Sequence, residues 1–234
     1  MPYGPFISYI DAMRLFYMTS QHIGEVILRE KRLKQSRISE MNDPFELLGA
    51  SIGERDARWV FKILHAHWTR SYGVICFSDN WKSPVMWAHY AEKHHGLCFG
   101  FDVPNELASE VRYEPARLNI IDRKKRLMGV DQEAVNTLLV TKFKEWSYEH
   151  EWRVFGSLQD RDPVTKHHYI DFGPTLQLRD VVIGARCRLS IAAVAKLVGK
   201  IENPVTVRKA RASFTRFEII QRRDVTPITV KPRR

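Results

Sequence analysis

Short apolar segments of strand length, separated by short amphipathic helices, most constrain how this chain folds. Leu15–Thr19, Gly73–Ser78 and Gly96–Phe101 resemble strands, and the apolar spacing within Gln21–Glu30 and Arg55–Thr69 predicts helices. Because the two kinds of element do not alternate strictly, we expect an α+β fold with mixed, mostly antiparallel sheets and flanking helices. The remaining predicted strands are Arg32–Ile38, Glu151–Phe155, His168–Ile170, Val181–Ile183, Val205–Val207 and Phe217–Ile220, and the remaining predicted helices are Pro84–Glu92, Gln132–Trp146 and Ile191–Val198.

The length of 234 residues suits one domain, which we place at residues 1–225, followed by a loose basic tail at residues 226–234. The apolar runs are shorter than the roughly 18–20 residues that a membrane-spanning helix needs. The N-terminus lacks the basic segment and apolar core of a secretory signal. Cys76, Cys98 and Cys187 have no paired spacing, which favours reduced thiols. Together these features predict a cytoplasmic protein and leave its oligomeric state open.

The chain is basic, with 37 Lys and Arg against 27 Asp and Glu, a formal net charge of +10. One basic cluster follows Glu114, and a second extends from Arg208 to the C-terminus. Such patches suit a phosphate-rich partner, either a nucleic acid or a dinucleotide. They suit equally well a solvated surface that keeps the protein soluble. The first cluster, which we predict to contact nucleic acid, consists of Arg117, Arg123, Lys124, Lys125 and Arg126.

Two short polar segments are candidates for a binding site. Asn42-Asp43-Pro44 predicts a rigid turn, which can hold a ribose, although capping of an ordinary loop is the more frequent explanation for such a turn alone. The predicted helix at Pro84–Glu92 contains the aromatic residues Trp87, His89 and Tyr90. Their rings suit stacking on a nucleobase or a nicotinamide, and equally suit a core position for Trp87 and a structural role for His89.

The segment Trp146–Arg153 carries the strongest functional signal. If it were a strand, Glu149, Glu151 and Arg153 would share one face, because residues of like parity point the same way. A structural ion pair among Glu151, Arg153 and Glu46, with the guanidinium as the cation, would explain these charges. Buried paired charges also tend to mark functional sites, so we favour an acidic catalytic group held by a guanidinium.

Metal ligation has weak support in the sequence. The histidines occur as His65-x-His67 and as the adjacent pairs His94-His95 and His167-His168, without Cys, Asp or Glu at a recognised ligand spacing. No Gly-rich phosphate loop, nucleophile elbow or C-x-x-C pair occurs. We therefore predict no metal ligands from these motifs.

The motifs together resemble a bacterial family known as domain of unknown function 2971. The resemblance covers about the first two thirds of the chain and gives no activity by itself. A weaker resemblance is to ADP-ribosyltransferase-like proteins, in which a Tyr-His-x-Thr strand is followed later by a Glu-x-Glu motif. Here Met18 occupies the place of that His. The motifs that carry the two resemblances are Tyr17–Ser20, Asn42–Glu46, Cys76–Ser78, Met86–Tyr90, Gly96–Cys98 and Trp146–Arg153.

The second resemblance implies an ADP-ribosyltransferase-like fold and an enzyme that cleaves NAD and transfers ADP-ribose to a nucleic-acid or other macromolecular acceptor. Glu151 would stabilise the oxocarbenium-like transition state, and Glu149 would orient or deprotonate the acceptor. Arg37 would offer a fork to the pyrophosphate, and Arg153 would lock Glu151. The implied NAD-binding residues are Tyr17, Thr19, Arg37, Asn42, Asp43, Trp87, His89, Tyr90 and Arg153.

Two other classes of function remain open. The protein is alternatively a metal-dependent nuclease, with Asp43, Glu46, Glu149 and Glu151 holding a divalent ion such as Mg²⁺. It is alternatively a non-catalytic nucleic-acid-binding module. A third alternative is a transferase fold retained only for binding a partner, and Met18 in the place of the motif histidine favours it. Cleavage of nucleic acid that needs a metal and ignores NAD would indicate the nuclease, whereas salt-sensitive binding without turnover would indicate the module.

Overall fold

A computed structural model describes residues 11–46, 49–50, 55–118, 132–158 and 161–232. The predicted basic residues Arg123, Lys124, Lys125 and Arg126 lie outside the described residues. Within this part of the chain, no helix is long and apolar enough to cross a membrane.

The described residues form thirteen strands and five α-helices. The strands are β1 (Ala12–Thr19), β2 (Arg32–Arg37), β3 (Tyr72–Ser78), β4 (Leu97–Pro104), β5 (Ala108–Glu110), β6 (Arg112–Glu114), β7 (Thr141–Phe143), β8 (Glu151–Ser157), β9 (His168–Asp171), β10 (Gln177–Ile183), β11 (Val205–Ala212), β12 (Ile219–Gln221) and β13 (Ile228–Val230). The helices are α1 (Gln21–Glu30), α2 (Arg55–Ser71), α3 (Pro84–Tyr90), α4 (Gln132–Leu139) and α5 (Ile191–Val198), with a 3₁₀ helix at Lys144–Glu149.

Serine side chains fix where three of these helices begin. Ser20 caps α1 by accepting a hydrogen bond from the backbone N–H of Ile23, and Ser83 caps α3 in the same way. Pro84 then occupies the first turn of α3, where its missing N–H costs nothing. Ser190 caps α5. The sequence therefore determines the starts of these helices locally.

Most strands join one large, mainly antiparallel sheet, so the predicted α+β class with mixed sheets is confirmed. Within the described residues its order runs β12-β11-β10-β4-β1-β3-β2-β9, with β8 beside β3, β5 beside β8 and β13 beside β11. β10 and β11 are parallel, joined through α5, and β6 and β7 form a separate parallel pair.

The sheet forks where β1 meets β3. β1 pairs with β4 along its full length, from Ala12↔Pro104 to Thr19↔Leu97, but its register with β3 is the single pair Phe16↔Ser78. β3 pairs with β8 along its whole length and with β2 near its start. Backbone groups in the fork are thus left without a neighbouring strand and are available to a ligand or to water.

Two apolar layers cover opposite faces of β1, as the period of two along a strand requires. Leu15 belongs to the main core, where α1 and α5 pack on the sheet through Leu28 and Val194. Met18 belongs to a smaller cluster on the other face, formed with α3 and with Ile219 of β12. This smaller cluster forms one wall of the fork.

The boundaries predicted for several elements differ from those observed. The helix predicted over Gln132–Trp146 ends at Leu139, and Thr141–Phe143 instead forms β7. Continuing the helix would carry Lys142 away from the carboxylates that it contacts in the interior. The strand predicted at Phe217–Ile220 begins two residues later, at Ile219, because Phe217 is fully exposed in the preceding loop.

The C-terminal segment also differs from the loose tail predicted for residues 226–234. Ile228–Val230 forms β13, which pairs antiparallel with Val205–Val207 of β11. Pairing with an otherwise open strand edge satisfies backbone hydrogen-bonding groups. The end of the described chain is therefore held to the sheet.

Candidate active site

A cleft of about 200 Å³ occupies the fork between β1 and β3. Both walls come from strands, and α3, the 3₁₀ helix and the Asn42 turn close its ends. The volume is below the roughly 300–1,000 Å³ of pockets that enclose a whole ligand, so the cleft suits one end of a larger molecule. Its polar lining residues are Tyr17, Lys34, Ser36, Glu40, Asn42, Glu46, Cys76, Ser78, Tyr90, Lys142, Glu149 and Glu151.

Lys142 joins the two predicted catalytic carboxylates. Its ammonium lies 2.5 Å from Glu149 Oε2 and 2.9 Å from Glu151 Oε2, and all three side chains are buried. Glu149 and Glu151 do point into the same site, but not because both lie on one strand, as predicted. Glu149 ends the 3₁₀ helix, His150 takes a left-handed conformation with φ of 46°, and Glu151 begins β8.

Arg153 holds Glu151 from the other side, as the sequence predicted. Its Nε lies 2.8 Å from Glu151 Oε1. Its two Nη atoms make a bidentate contact with both oxygens of Glu46, at 2.8 and 2.9 Å. The carbonyl of Leu139, the last residue of α4, accepts a further bond of 2.6 Å. A guanidinium with every edge paired and an exposed fraction of 2% fixes Glu151 rigidly.

Tyr90 completes the set around Glu149. Its hydroxyl donates to Glu149 Oε1, and the Asn42 side chain also hydrogen-bonds this hydroxyl. The short helix α3 thus delivers Tyr90, and the Asn-Asp-Pro turn delivers Asn42, to the same carboxylate. Two of the three segments singled out in the sequence meet here at the third.

The surroundings move the pKa values of the two carboxylates in opposite directions. Burial acts to raise the pKa of Glu151, but the charges and hydrogen bonds of Arg153 and Lys142 outweigh it and hold the value at about 2. Burial raises the pKa of Glu149, and Lys142 and Tyr90 offset this only in part. Two carboxylates with separated pKa values are the usual basis for separate acid–base roles.

The cations of the cluster stay charged. Burial acts against the charged form of Lys142, yet the adjacent Glu151 and Glu149 raise its pKa well above the ordinary value. The pKa of Arg153 is raised for the same reason, by Glu151 and Glu46 against burial. Three carboxylates therefore face two permanent cations, which leaves the cluster with residual negative charge when all are ionised.

Other groups of the fork are neutral. Burial, together with Cys76, raises the pKa of Tyr17 to about 12, and burial keeps the Cys76 thiol protonated by raising its pKa well above the usual range. The Cys76 thiol hydrogen-bonds Glu151 from β3. Tyr113 of β6 accepts a 2.8 Å hydrogen bond from the backbone N–H of Glu151. These contacts orient Glu151 further.

Several predicted NAD-binding residues lie outside the lining of the fork. Thr19 is buried at the end of β1. Arg37 follows Lys34 and Ser36 on β2 but contacts His168, with 3.4 Å between Nη2 and Nε2. Asp43 caps its own turn by accepting the backbone N–H of Phe45 at 2.9 Å. Asp43 therefore has the structural role that the sequence left open.

Trp87 and His89 do not provide the predicted stacking slot. Trp87 has no exposed surface and donates its indole N–H to the carbonyl of Trp81 at 2.6 Å, so it is a core residue. His89 is exposed and stacks on Tyr148 with ring centroids 5.9 Å apart. The aromatic residues that line the fork are Phe16, Tyr17, Phe77 and Tyr90.

Sequence reasoning missed Lys142, Cys76 and Tyr113. Lys142 was hidden inside a segment with helical apolar spacing, and nothing in its neighbours marked it as buried. Cys76 was predicted only as a buried, reduced thiol, and the structure places it in the lining of the fork. The predicted nucleic-acid residue Arg117 lies elsewhere, with its guanidinium 5.1 Å from the ring centroid of Phe45.

The acidic residues do not form an open metal centre. Within the described ranges, no group of three or more His, Cys, Asp or Glu side chains is placed to hold a metal ion. Glu46, Glu149 and Glu151 contact Arg153 or Lys142 instead. A divalent ion would have to displace a charged side chain from them.

Comparison with protein families identifies part of this site. Residues 86–154 match the model of a family described as Protein of unknown function (DUF2971). This segment is therefore similar to that family. The match confirms the family resemblance and includes every residue from Tyr90 to Arg153 that surrounds the carboxylates. No curated protein and no solved structure gives a significant match. The ADP-ribosyltransferase resemblance stays a prediction.

Proposed function

We propose that this protein is an ADP-ribosyltransferase-like enzyme that cleaves the bond between nicotinamide and ribose in NAD within the fork. The observation that carries the proposal is the pair Glu149 and Glu151, which line one cleft with pKa values moved in opposite directions. One carboxylate that stays ionised and one that takes up a proton are what this reaction requires.

The charge of the cluster supports a cationic ligand. When all three carboxylates are ionised, they outnumber the two cations and leave residual negative charge beside the cleft. The nicotinamide ring of NAD is a cation before the bond breaks, and the ribose becomes positive as it breaks. A fixed anion stabilises both, and more strongly in a buried site than in water. The aromatic rings of Phe16 and Tyr17 offer a wall for the nicotinamide.

The reaction places one role on each carboxylate. As the C1′–N bond breaks, its electron pair leaves with nicotinamide, and Glu151 stabilises the oxocarbenium-like ribose. Glu149 accepts the proton of the water or acceptor group that forms the new bond to C1′. Glu149 keeps lone pairs free for this, because it receives one bond from Tyr90 and one from Lys142. In this proposal the adenosine end of NAD lies outside the fork, because a cleft of about 200 Å³ suits only one end of the molecule.

Nicotinamide release from NAD tests the proposal, measured with the purified protein alone and with DNA or RNA added. We expect release by the native chain and a loss of roughly 100-fold or more in Glu149→Gln and in Glu151→Gln. Glu145→Gln is the matched control, because Glu145 is an exposed residue of the same 3₁₀ helix.

Thermal unfolding of each variant must accompany the assay, since Glu151 balances buried Arg153. Folded Glu149→Gln and Glu151→Gln proteins that release nicotinamide at the native rate would refute the assignment of roles. Absence of release by the native chain under every condition would refute the proposed reaction itself.

A further inference from the structure

The loop between β11 and β12 exposes two phenylalanines at its tip. Phe214 is 90% exposed and Phe217 is 100% exposed, whereas most large apolar side chains of this protein are buried. The loop is closed by a 2.9 Å hydrogen bond from the Ser213 N–H to the Glu218 carbonyl, and β12 continues the hairpin at Ile219. The two rings are therefore presented by a structured hairpin.

Arginines surround these rings. The guanidinium of Arg211 lies 4.4 Å from the ring centroid of Phe214, and Arg216 is exposed between the two phenylalanines. Across residues 211–224 the chain carries four arginines, Arg211, Arg216, Arg222 and Arg223, and two acids, Glu218 and Asp224. The hairpin is thus a positively charged surface with two exposed aromatic rings, one of which has a guanidinium against it.

The hairpin is anchored beside the fork. Ile219, the first residue of β12, is buried in the cluster that contains Met18 and Met86, both of which line the fork. Its backbone N–H also donates to the carbonyl of Lys82, in the turn that precedes α3. The base of the hairpin therefore packs against the cluster that forms one wall of the cleft.

We propose that this hairpin binds single-stranded nucleic acid, with bases stacked on Phe214 and Phe217 and phosphates near the arginines. Unpaired bases expose the aromatic faces that such rings take, and stacking is worth roughly 1–3 kcal/mol per base. Paired bases in a duplex keep those faces covered. The further assignment of the bound strand as the ADP-ribose acceptor rests on the proposed function, whereas the binding itself does not.

Fluorescence anisotropy with a labelled oligothymidylate, and with the matching RNA, tests the binding without NAD. We expect saturable binding that weakens with salt, and at least about 20-fold weaker binding by the Phe214→Ala/Phe217→Ala variant. Trp59→Ala is the matched control, because Trp59 is an exposed aromatic residue on α2, outside the hairpin. The same probe annealed to its complement should bind more weakly than the single strand.

Three results would overturn the proposal. One is native affinity in the double Phe variant, and another is equal affinity for duplex and single strand. The third is binding of the native chain to vesicles of phosphatidylcholine and phosphatidylserine without binding to the oligonucleotide, which would identify a lipid surface as the partner. Because NAD is absent from this assay, its failure and a failure of nicotinamide release are separate outcomes.

Discussion

At the scale of single residues, Lys142 is the group on which the chemistry of the fork depends. It separates two carboxylates that would otherwise repel each other in a buried position, and it offsets part of the burial that raises the pKa of Glu149. Arg153 does the same for Glu151 and Glu46. Breaking a buried pair by removing one partner usually costs about 3–5 kcal/mol, because the other charge stays buried.

Replacing Lys142 tests this electrostatic account. We expect Lys142→Met to lower the free energy of unfolding at pH 7 by about 3–5 kcal/mol, measured with urea. Removal of the ammonium raises the folded pKa of Glu149 further. A carboxyl with a raised folded pKa stabilises the protein most below its unfolded value, and this contribution is lost as pH rises through the folded value. The loss should therefore be smaller near pH 4 than at pH 7.

Lys144→Met is the control for that experiment, because Lys144 is an exposed lysine two residues away. An equal effect of the two substitutions would contradict a special role for Lys142. A loss in Lys142→Met that does not change between pH 4 and pH 7 would contradict the linkage to Glu149.

The hydroxyl of Tyr90 supports the ionised form of Glu149, so its removal should shift the pH dependence of catalysis. In Tyr90→Phe the pKa of Glu149 rises, because a hydrogen bond to the carboxylate is lost. Glu149 must be ionised to accept a proton, so the acidic limb of the rate profile for nicotinamide release should move to higher pH. Tyr148→Phe changes the neighbouring tyrosine, which stacks on His89. This substitution should not change the pH at which the rate of nicotinamide release falls. An unchanged limb in Tyr90→Phe would contradict the assignment of Glu149 as the base.

At the scale of elements, the fork exists because β1 pairs with β4 along the whole of one edge but meets β3 on its other edge only at Phe16↔Ser78. The chain also passes very close to itself where α3 leads into β4. A Cβ atom on Gly96 would lie 2.0 Å from the carbonyl oxygen of Thr19, the last residue of β1. Gly96 therefore lets the wall formed by α3 approach the end of β1.

Gly96→Ala should separate these elements. The backbone carbonyl of Thr19 has little room to move, so we expect a loss of roughly 1–3 kcal/mol in the free energy of unfolding. Nicotinamide release should fall as well, because α3 carries Tyr90. Gly173→Ala is the matched control, since a Cβ there would meet no atom within 4 Å. Equal stability of the two variants would contradict the close packing of α3 on β1.

Elements were predicted from sequence where local signals agreed with tertiary packing. The apolar spacing predicted α1, which Ser20 caps in the structure, and the apolar runs at Gly73–Ser78 and Gly96–Phe101 predicted two central strands. The prediction failed after Leu139, where burial of Lys142 against Glu149 and Glu151 overrides a helical pattern that continues to Trp146. An interaction of this kind depends on how separate elements pack together, and it does not appear in the apolar periodicity of the sequence.

At the scale of the whole molecule, the three motif segments predicted which carboxylates meet, but not what surrounds them. Glu149, Glu151, Asn42 and Tyr90 were foreseen in one site, because the segments carry polar groups that an ordinary core does not need. Trp87 was misjudged as a ring-stacking residue, since a tryptophan in a helix looks the same from sequence whether it faces a ligand or the core. The fork itself could not be predicted, because strand order is set by the entire sheet.

The binding position of NAD tests the central claim most directly. Hydrogen–deuterium exchange of Glu149→Gln, with and without NAD, reports where the ligand lies while its cleavage is suppressed. The account predicts slower exchange in the peptides that contain Phe16–Met18 and Cys76–Ser78, the two walls of the fork, and no change in β13. Unaltered exchange in both walls at saturating NAD, or protection confined to β13 or another distant element, would contradict it.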